Sequence, residues 1–215
     1  MEPTPIQRNI IQEEGNTVVL AMPGSGKTFV LSEKIRRILE SNILKDYQGV
    51  IAISYTRKAS GHLKRKTLQN GTWEKNSFFG TIDSFCLTQI ILPFGHYVIG
   101  YSKKEVVPIT ESDLDKDKMV DFEWINKIHP DYEEINETVW EKLYELFKEG
   151  KVLVSSLELV ALHIIKNCPA CRAHLKARFK YVFIDEFQDA DTYTNGIFLE
   201  LIGLCLLYTS PSPRD

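Results

Sequence analysis

Cysteine is scarce in this sequence, with four in 215 residues. That is too few for a disulfide framework, so reduced thiols are expected. Long apolar runs are missing too, and none approaches the roughly 20 residues of a membrane-spanning helix. The start, Met1-Glu2-Pro3-Thr4-Pro5, has neither the basic opening nor the apolar stretch of a signal peptide. Internal repeats are absent. At 43% hydrophobic and 26% charged residues, the composition excludes disordered and fibrous classes. An intracellular globular protein without membrane contact is the expectation, with enough chain for one generous domain or one and a half.

One sign of charge is missing locally. From Tyr47 to Trp73 there is no acid, while Arg57, Lys58, Lys64, Arg65 and Lys66 contribute +5. Such a stripe is either a solvated helix face or a phosphate-binding surface. Between Glu105 and Glu149 the balance reverses, with 14 acids against 5 bases. The overall charge of −3 therefore conceals an acidic middle and a basic remainder.

Periodicity supplies the elements. Thr4-Pro5-Ile6-Gln7 reads as a capped helix start. Short apolar runs at Thr17–Ala21, Gly49–Tyr55, Ser77–Thr81 and Tyr181–Ile184 read as buried strands. Between them lie a helix with Leu31, Ile35, Ile38 and Leu39 on one face, a basic helix from about Lys58 to Gln69, and a helix over Asp83–Leu92 stopped by Pro93. Strands alternating with helices predict an α/β fold with a parallel sheet and crossover helices. Ile135, Val139, Leu143 and Phe147 recur every fourth residue in the acidic middle, and Ser155-Ser156-Leu157-Glu158 opens another helix. This part reads as a helical subdomain inserted between strands. The expected division is 1–100 for the first part of the sheet domain, 101–175 for the insert, 176–203 for the return, and 204–215 for a disordered or non-native Ser/Pro-rich tail.

Ala21-Met22-Pro23-Gly24-Ser25-Gly26-Lys27-Thr28 lies between a strand and an amphipathic helix, the context of a phosphate-binding loop. Gly24 and Gly26 let backbone N–H groups approach phosphate oxygens, Lys27 reaches the β- and γ-phosphates, and the Thr28 hydroxyl suits Mg²⁺. Val182-Phe183-Ile184-Asp185-Glu186-Phe187-Gln188-Asp189 is a strand running into carboxylates. Asp185 is placed for Mg²⁺, and Glu186 for orienting and deprotonating water. His163, Cys168, Cys171 and His174 have a spacing that zinc could use. The alternative for that segment is a helix start at Asn167-Cys168-Pro169 without metal.

The order Gln7, AMPGSGKT, ISYTRKAS, GTIDSFC and FIDEFQD resembles the N-terminal part of the UvrD/Rep/PcrA-like superfamily 1 DNA helicases, over roughly residues 4–203. The resemblance implies a RecA-like P-loop NTPase domain with an inserted helical subdomain, ATP and Mg²⁺ as cofactors, and ATP hydrolysis coupled to movement on single-stranded DNA. Gln7 matches an adenine-contacting glutamine, and Gln188 one that senses the γ-phosphate. Tyr55, Thr56, Arg57, Thr81 and Ser84 match positions that contact single-stranded DNA. Arg57 stands where the family has Asn, and Asp83 where many relatives have His. The family's next motif and its second RecA-like domain, with the arginines that complete the ATP site, do not follow Asp189, so a truncated N-terminal fragment that is slow alone is expected. The competing reading is a non-catalytic nucleotide- and DNA-binding module. Neither a guanine-specific Asn-Lys-x-Asp nor a transporter Leu-Ser-Gly-Gly signature is present.

Overall fold

A computed structural model describes residues 2–19, 22, 24–102, 104–114, 130–187 and 190–210. The chain divides into two compact units, the first comprising Met1–Ile82, Ala173–Ala190 and Leu201–Asp215, the second Asp83–Arg172 and Asp191–Glu200.

The first unit is built on a five-stranded sheet, wholly parallel. Its strands are β1 (Thr17–Val18), β2 (Gly49–Ile53), β3 (Phe78–Gly80), β6 (Phe179–Asp185) and β7 (Leu206–Ser210), in the spatial order β1-β7-β6-β2-β3. All five residues of β2 are buried, and β6 exposes only Lys180. Such unbroken burial is what a parallel sheet covered on both faces requires. Helix α1 (Pro5–Gln12) precedes the sheet, α2 (Lys27–Glu40) joins β1 to β2, and α3 (Arg57–Thr67) joins β2 to β3. Leu31, Ile35, Ile38 and Leu39 of α2 and Leu63 of α3 share one apolar cluster with Val50, Ala52, Tyr181 and Phe183 of the central strands.

Parallel strands all present their C-terminal ends at one edge, so the loops after β1, β2, β3 and β6 gather there. The register brings Ile53 beside both Ile184 and Gly80, which fixes the ends of the three inner strands level with one another.

Three elements differ from the sequence expectation: the first strand, expected buried over Thr17–Ala21, is Thr17–Val18 with Val18 63% exposed. The tail from Leu204 was given no place in the sheet, yet Leu206–Ser210 forms β7 between β1 and β6, with Val18 opposite Thr209 and Asp185 opposite Ser210. The run Leu206-Leu207-Tyr208-Thr209 is short, has one β-branched residue and pairs with strands distant in sequence, so no local pattern announced it. The helix expected to stop at Pro93 also continues. Helix α4 (Ile82–Phe85), whose first residue ends a segment of the first unit, leads through a π-helical segment, Cys86–Ile91, into α5 (Leu92–Val98). The π-turn ends just before Pro93, so the donor that proline lacks falls where the regular i→i−4 bonding is already interrupted.

The rest of the second unit contains a two-stranded parallel ribbon, β4 (Val107–Ile109) with β5 (Lys151–Leu153), together with α6 (Glu137–Lys148), α7 (Leu157–Asn167) and the start of α8 (Pro169–Arg178). Ile135, Val139, Leu143 and Phe147 are all buried, as the four-residue spacing requires. Helix α9 (Thr192–Ile202) leads on to β7. Among the described residues no helix is long and apolar enough to cross a membrane.

Candidate active site

The loop after β1 turns on two glycines. Gly24 has φ +78° and Gly26 φ +87°, left-handed values at which a side chain is strained. Gly26 caps α2, so the N–H groups of Lys27 and Thr28 open a helix whose N-terminal end attracts anions. Met22 is exposed at the loop's rim. Ala21, Pro23 and Gln188, assigned above to the nucleotide and its γ-phosphate, lie outside the described residues.

Helix α1 is tied to this loop. Thr4 and Gln7 form a reciprocal capping box, in which Thr4 N donates to Gln7 Oε1 at 3.0 Å and Gln7 N donates to Thr4 Oγ1 at 3.3 Å. The same Gln7 amide donates from Nε2 to the Ser25 carbonyl at 3.1 Å. Lys34, a residue that sequence inspection missed, anchors the other end of α1. It is only 3% exposed, and its ammonium donates to the carbonyls of Ile10 and Glu13 at 2.7 and 2.8 Å. Burial lowers its pKa to about 8, against the pull of Glu13. A lone Lys on the buried face of an amphipathic helix was the available signal.

At the end of β6 Asp185 is 7% exposed, and Glu186 follows with φ +59°. A non-glycine residue in that region costs roughly 1–2 kcal/mol, and such residues cluster at functional sites. The turn aims Glu186 back at the loop, where Lys27 Nζ lies 3.5 Å from Glu186 Oε1. Thr28, Thr56, Lys58, Ala59, His62 and Asp185 line a cavity of about 350 Å³. Two oxygen donors, a hydroxyl and a carboxylate, therefore face one space, a donor set that suits a hard divalent cation such as Mg²⁺.

The residues matched to DNA contacts separate. Tyr55 is 46% exposed and Arg57 is exposed, both at the turn from β2 into α3. Thr56 caps α3, its hydroxyl oxygen accepting from Ala59 N at 3.1 Å, and it also lines the cavity with Thr28 and Asp185. Thr81 is buried after β3 in the first unit, whereas Ser84 belongs to the second.

In the second unit His163 is fully engaged. Tyr132 Oη lies 2.7 Å from its Nδ1, Tyr144 Oη 2.7 Å from its Nε2, and the Trp140 ring stacks on it at 4.1 Å. Burial lowers its pKa. Both ring nitrogens thus have partners other than a metal. Among the described residues no three His, Cys, Asp or Glu side chains converge as a metal cluster. Cys168 and Cys171 are buried, as are the other two cysteines.

The chain is 25% identical over 202 residues to Gabija protein GajB of Bacillus cereus (strain VD045), covering 91% of this chain and 36% of that protein. It is 24% identical over 205 residues to DNA helicase II of Escherichia coli (strain K12), covering 82% and 28% respectively. With ATP-dependent DNA helicase UvrD1 of Mycobacterium leprae (strain TN) it shares 23% identity over 237 residues, 93% of this chain and 30% of that one. The chain thus spans about a third of the length of these relatives. A model of the UvrD/REP helicase N-terminal domain matches residues 4–123 and 103–204, and with its parallel sheet, glycine-turned loop and Asp185-Glu186 strand end the chain belongs to that family.

Proposed function

We propose that this domain binds ATP and supplies the hydrolytic half of a motor that moves on single-stranded DNA. The observation that carries the reading is the meeting of Lys27 with Glu186, and of Thr28 with Asp185, at the C-terminal edge of one parallel sheet. The β- and γ-phosphates occupy the loop's N–H groups and draw Lys27 off Glu186. Thr28 and Asp185 would hold Mg²⁺, which neutralises charge on the phosphate oxygens. Glu186, released from the ammonium, orients a water in line with the γ-phosphate and accepts its proton. The Gln7 amide keeps a second N–H and a second lone pair for an adenine edge, and Gln188 reports the γ-phosphate.

Tyr55 offers a ring to a stacked base. Arg57, Thr81 and Ser84 offer charge or hydroxyls to phosphate, and Thr56 still has its hydroxyl proton to donate. Phosphoryl transfer is chiefly positioning and charge stabilisation, and arginines from a second RecA-like domain supply several orders of magnitude of it. ATP turnover at this site should therefore rise when such arginines are supplied in trans.

Calorimetric titration of ATP·Mg²⁺ into wild type and Lys27→Ala, with phosphate release from wild type and Glu186→Gln, tests the reading. Lys27→Ala should weaken binding at least tenfold, and Glu186→Gln should bind normally and lose turnover. Equal nucleotide affinity for wild type and Lys27→Ala would refute the site. Binding without turnover, even when the second domain is supplied, would favour a non-catalytic module.

A further inference from the structure

Helix α5, in the second unit, presents a face that neither the motifs nor the resemblance assigns. Leu92, Pro93, His96 and Tyr97 are exposed along it, and Tyr101 is exposed just past the helix end. Positions 92, 93, 96 and 97 are one and four apart, the spacing of a single helical face. Ile91, Phe94, Gly95 and Ile99 are buried on the other side. That side fixes the rotation of the helix. A Cβ on Gly95 would stand 2.6 Å from the Phe147 ring, so glycine is what lets α5 lie this close to α6. The π-helical segment Cys86–Ile91 ends where α5 begins, and segments of this kind recur at functional sites. Tyr97 is 65% and Tyr101 79% exposed. The Tyr97 ring is nonetheless held in place, with the His96 ring at 4.0 Å and the buried Phe94 ring at 6.4 Å. Gly100, at φ +113°, turns the chain out of the helix before Tyr101.

The chain around this face is poor in negative charge. From Ser84 to Lys104 there is no acid. Lys148 reaches over from the end of α6, its Cε 3.4 Å from where a Cβ on Gly100 would stand. Lys104 packs against Gly150 just beyond, where an added Cβ would meet its side chain at 2.8 Å. Of the acids adjoining these lysines in sequence, Glu105 and Glu149, the second pairs with Lys151 at 3.1 Å. Exposed tyrosine rings beside lysines match a single strand of nucleic acid, whose bases present flat faces and whose backbone is anionic. A duplex keeps those faces inside its stack. We infer that Tyr97 and Tyr101 form a stacking platform for unpaired bases of single-stranded DNA, additional to the contacts of Tyr55, Thr56, Arg57, Thr81 and Ser84. The inference rests on the DNA reading above. Stacking reads no base edge, so the platform is indifferent to sequence, as movement along a strand requires. Leu92 and Pro93 extend its apolar floor, and Lys104 and Lys148 give it a positive border.

The test is fluorescence anisotropy of a labelled oligothymidylate titrated with the whole chain, wild type against Tyr97→Ala, Tyr101→Ala and Tyr97→Trp, repeated with an abasic strand of equal length. Both rings are exposed, so truncating them leaves the apolar core intact. Each alanine variant should bind the thymidylate strand at least about fivefold more weakly. Its salt slope should stay that of wild type, because stacking releases no counterions. Tyr97→Trp should restore the affinity. The abasic strand keeps the phosphates and lacks the bases, so wild type and variants should bind it alike. Unchanged thymidylate affinity in both alanine variants overturns the inference. So does an equal loss on both strands, which a general structural effect would produce. In either case a thymidylate affinity that falls in Arg57→Ala leaves the DNA reading standing. If wild type binds neither strand at low salt, the DNA reading itself fails and the inference falls with it.

Discussion

Replacing Gly26 by Ala should cost more than replacing Gly24 by Ala, and the excess should belong to Gln7. Both glycines sit at left-handed φ, +78° and +87°. Each substitution therefore forces an alanine into a conformation that costs about 1–2 kcal/mol. At Gly24 nothing lies within 4 Å of an added Cβ, so this backbone cost is the whole effect. At Gly26 the Cβ would stand 2.9 Å from Gln7 Nε2. That atom ends a flexible side chain, so it moves rather than clashes. In moving it gives up the bond to Ser25 and disturbs the Oε1 bond to Thr4 N. Exposed hydrogen bonds of this kind are each worth about 0.5–1 kcal/mol. Gly26→Ala should therefore destabilise the first unit by about 2–3 kcal/mol and Gly24→Ala by about 1–2. Amide hydrogen exchange of the buried strand Gly49–Ile53 reads the opening free energy of this unit specifically. A double-mutant cycle with Gln7→Ala isolates the contact, and in that background the excess at Gly26 should vanish. If both glycine variants cost the same, or the Gly26 cost is unchanged without Gln7, the link between α1 and the loop carries no energy and the reasoning fails.

Lys34→Met should remove a pH dependence. With its pKa lowered to about 8 in the fold against about 10.4 in the unfolded chain, Lys34 makes the unfolded state bind more protons between those values. Wild-type stability of the first unit should rise relative to Lys34→Met from pH 8 to 10, by up to about 2 kcal/mol in the same exchange experiment, and parallel curves would refute it. Glu158 behaves oppositely. Burial pushes its carboxyl up to about 8, with Asp83 and Asp191 adding to the effect. Its favourable contribution is complete below about pH 4.3 and is lost as pH rises toward 8. Glu158→Gln should gain on wild type in urea midpoint across pH 5–8 and hold that gain above it, and a constant difference would be the contrary result. Single-stranded DNA affinity, read by fluorescence anisotropy, should follow salt with a slope of about −2.8 rather than the −3.5 that five phosphate contacts would give, because Lys64 is held by Glu74. A slope near zero would remove this helix from the DNA surface.

Much of the sheet domain was legible because its signals are local. The Thr4–Gln7 box, the glycine loop and the acidic end of β6 each declare themselves within eight residues. The four-residue stripe from Ile135 to Phe147 did the same for the second unit. What stayed hidden depended on distance in sequence. Strand β7 is recognisable only through its pairing with β1 and β6. Continuation of the helix past Pro93 depended on a π-turn that no residue pattern announces. Lys34 is chemically meaningful only once α1 lies beside it, and His163 only once Tyr132 and Tyr144 close on its two nitrogens.

The basic stretch from Arg57 to Lys66 shows why a charge run is a poor guide to a surface. On paper its five cations form one stripe. A helix turns about 100° per residue, so consecutive cations point in different directions. Lys58 faces the cavity with Thr28 and Asp185. Lys64 pairs with Glu74 at 2.7 Å. Lys66 shares another cavity with Glu33 and Glu40. Arg57 and Arg65 remain exposed. Among the described residues Lys64 finds its acidic partner, Glu74, in the loop before β3. One short helix therefore carries a side that lines the cavity of Thr28 and Asp185 and an outward side with Arg57 and Arg65, with its start set by Thr56. Any shift that nucleotide phosphates impose on Lys58 is also a shift of Arg57, its neighbour in the first turn of the helix. Coupling between the two proposed ligands then needs no long pathway, since a few ångströms of helix connect them.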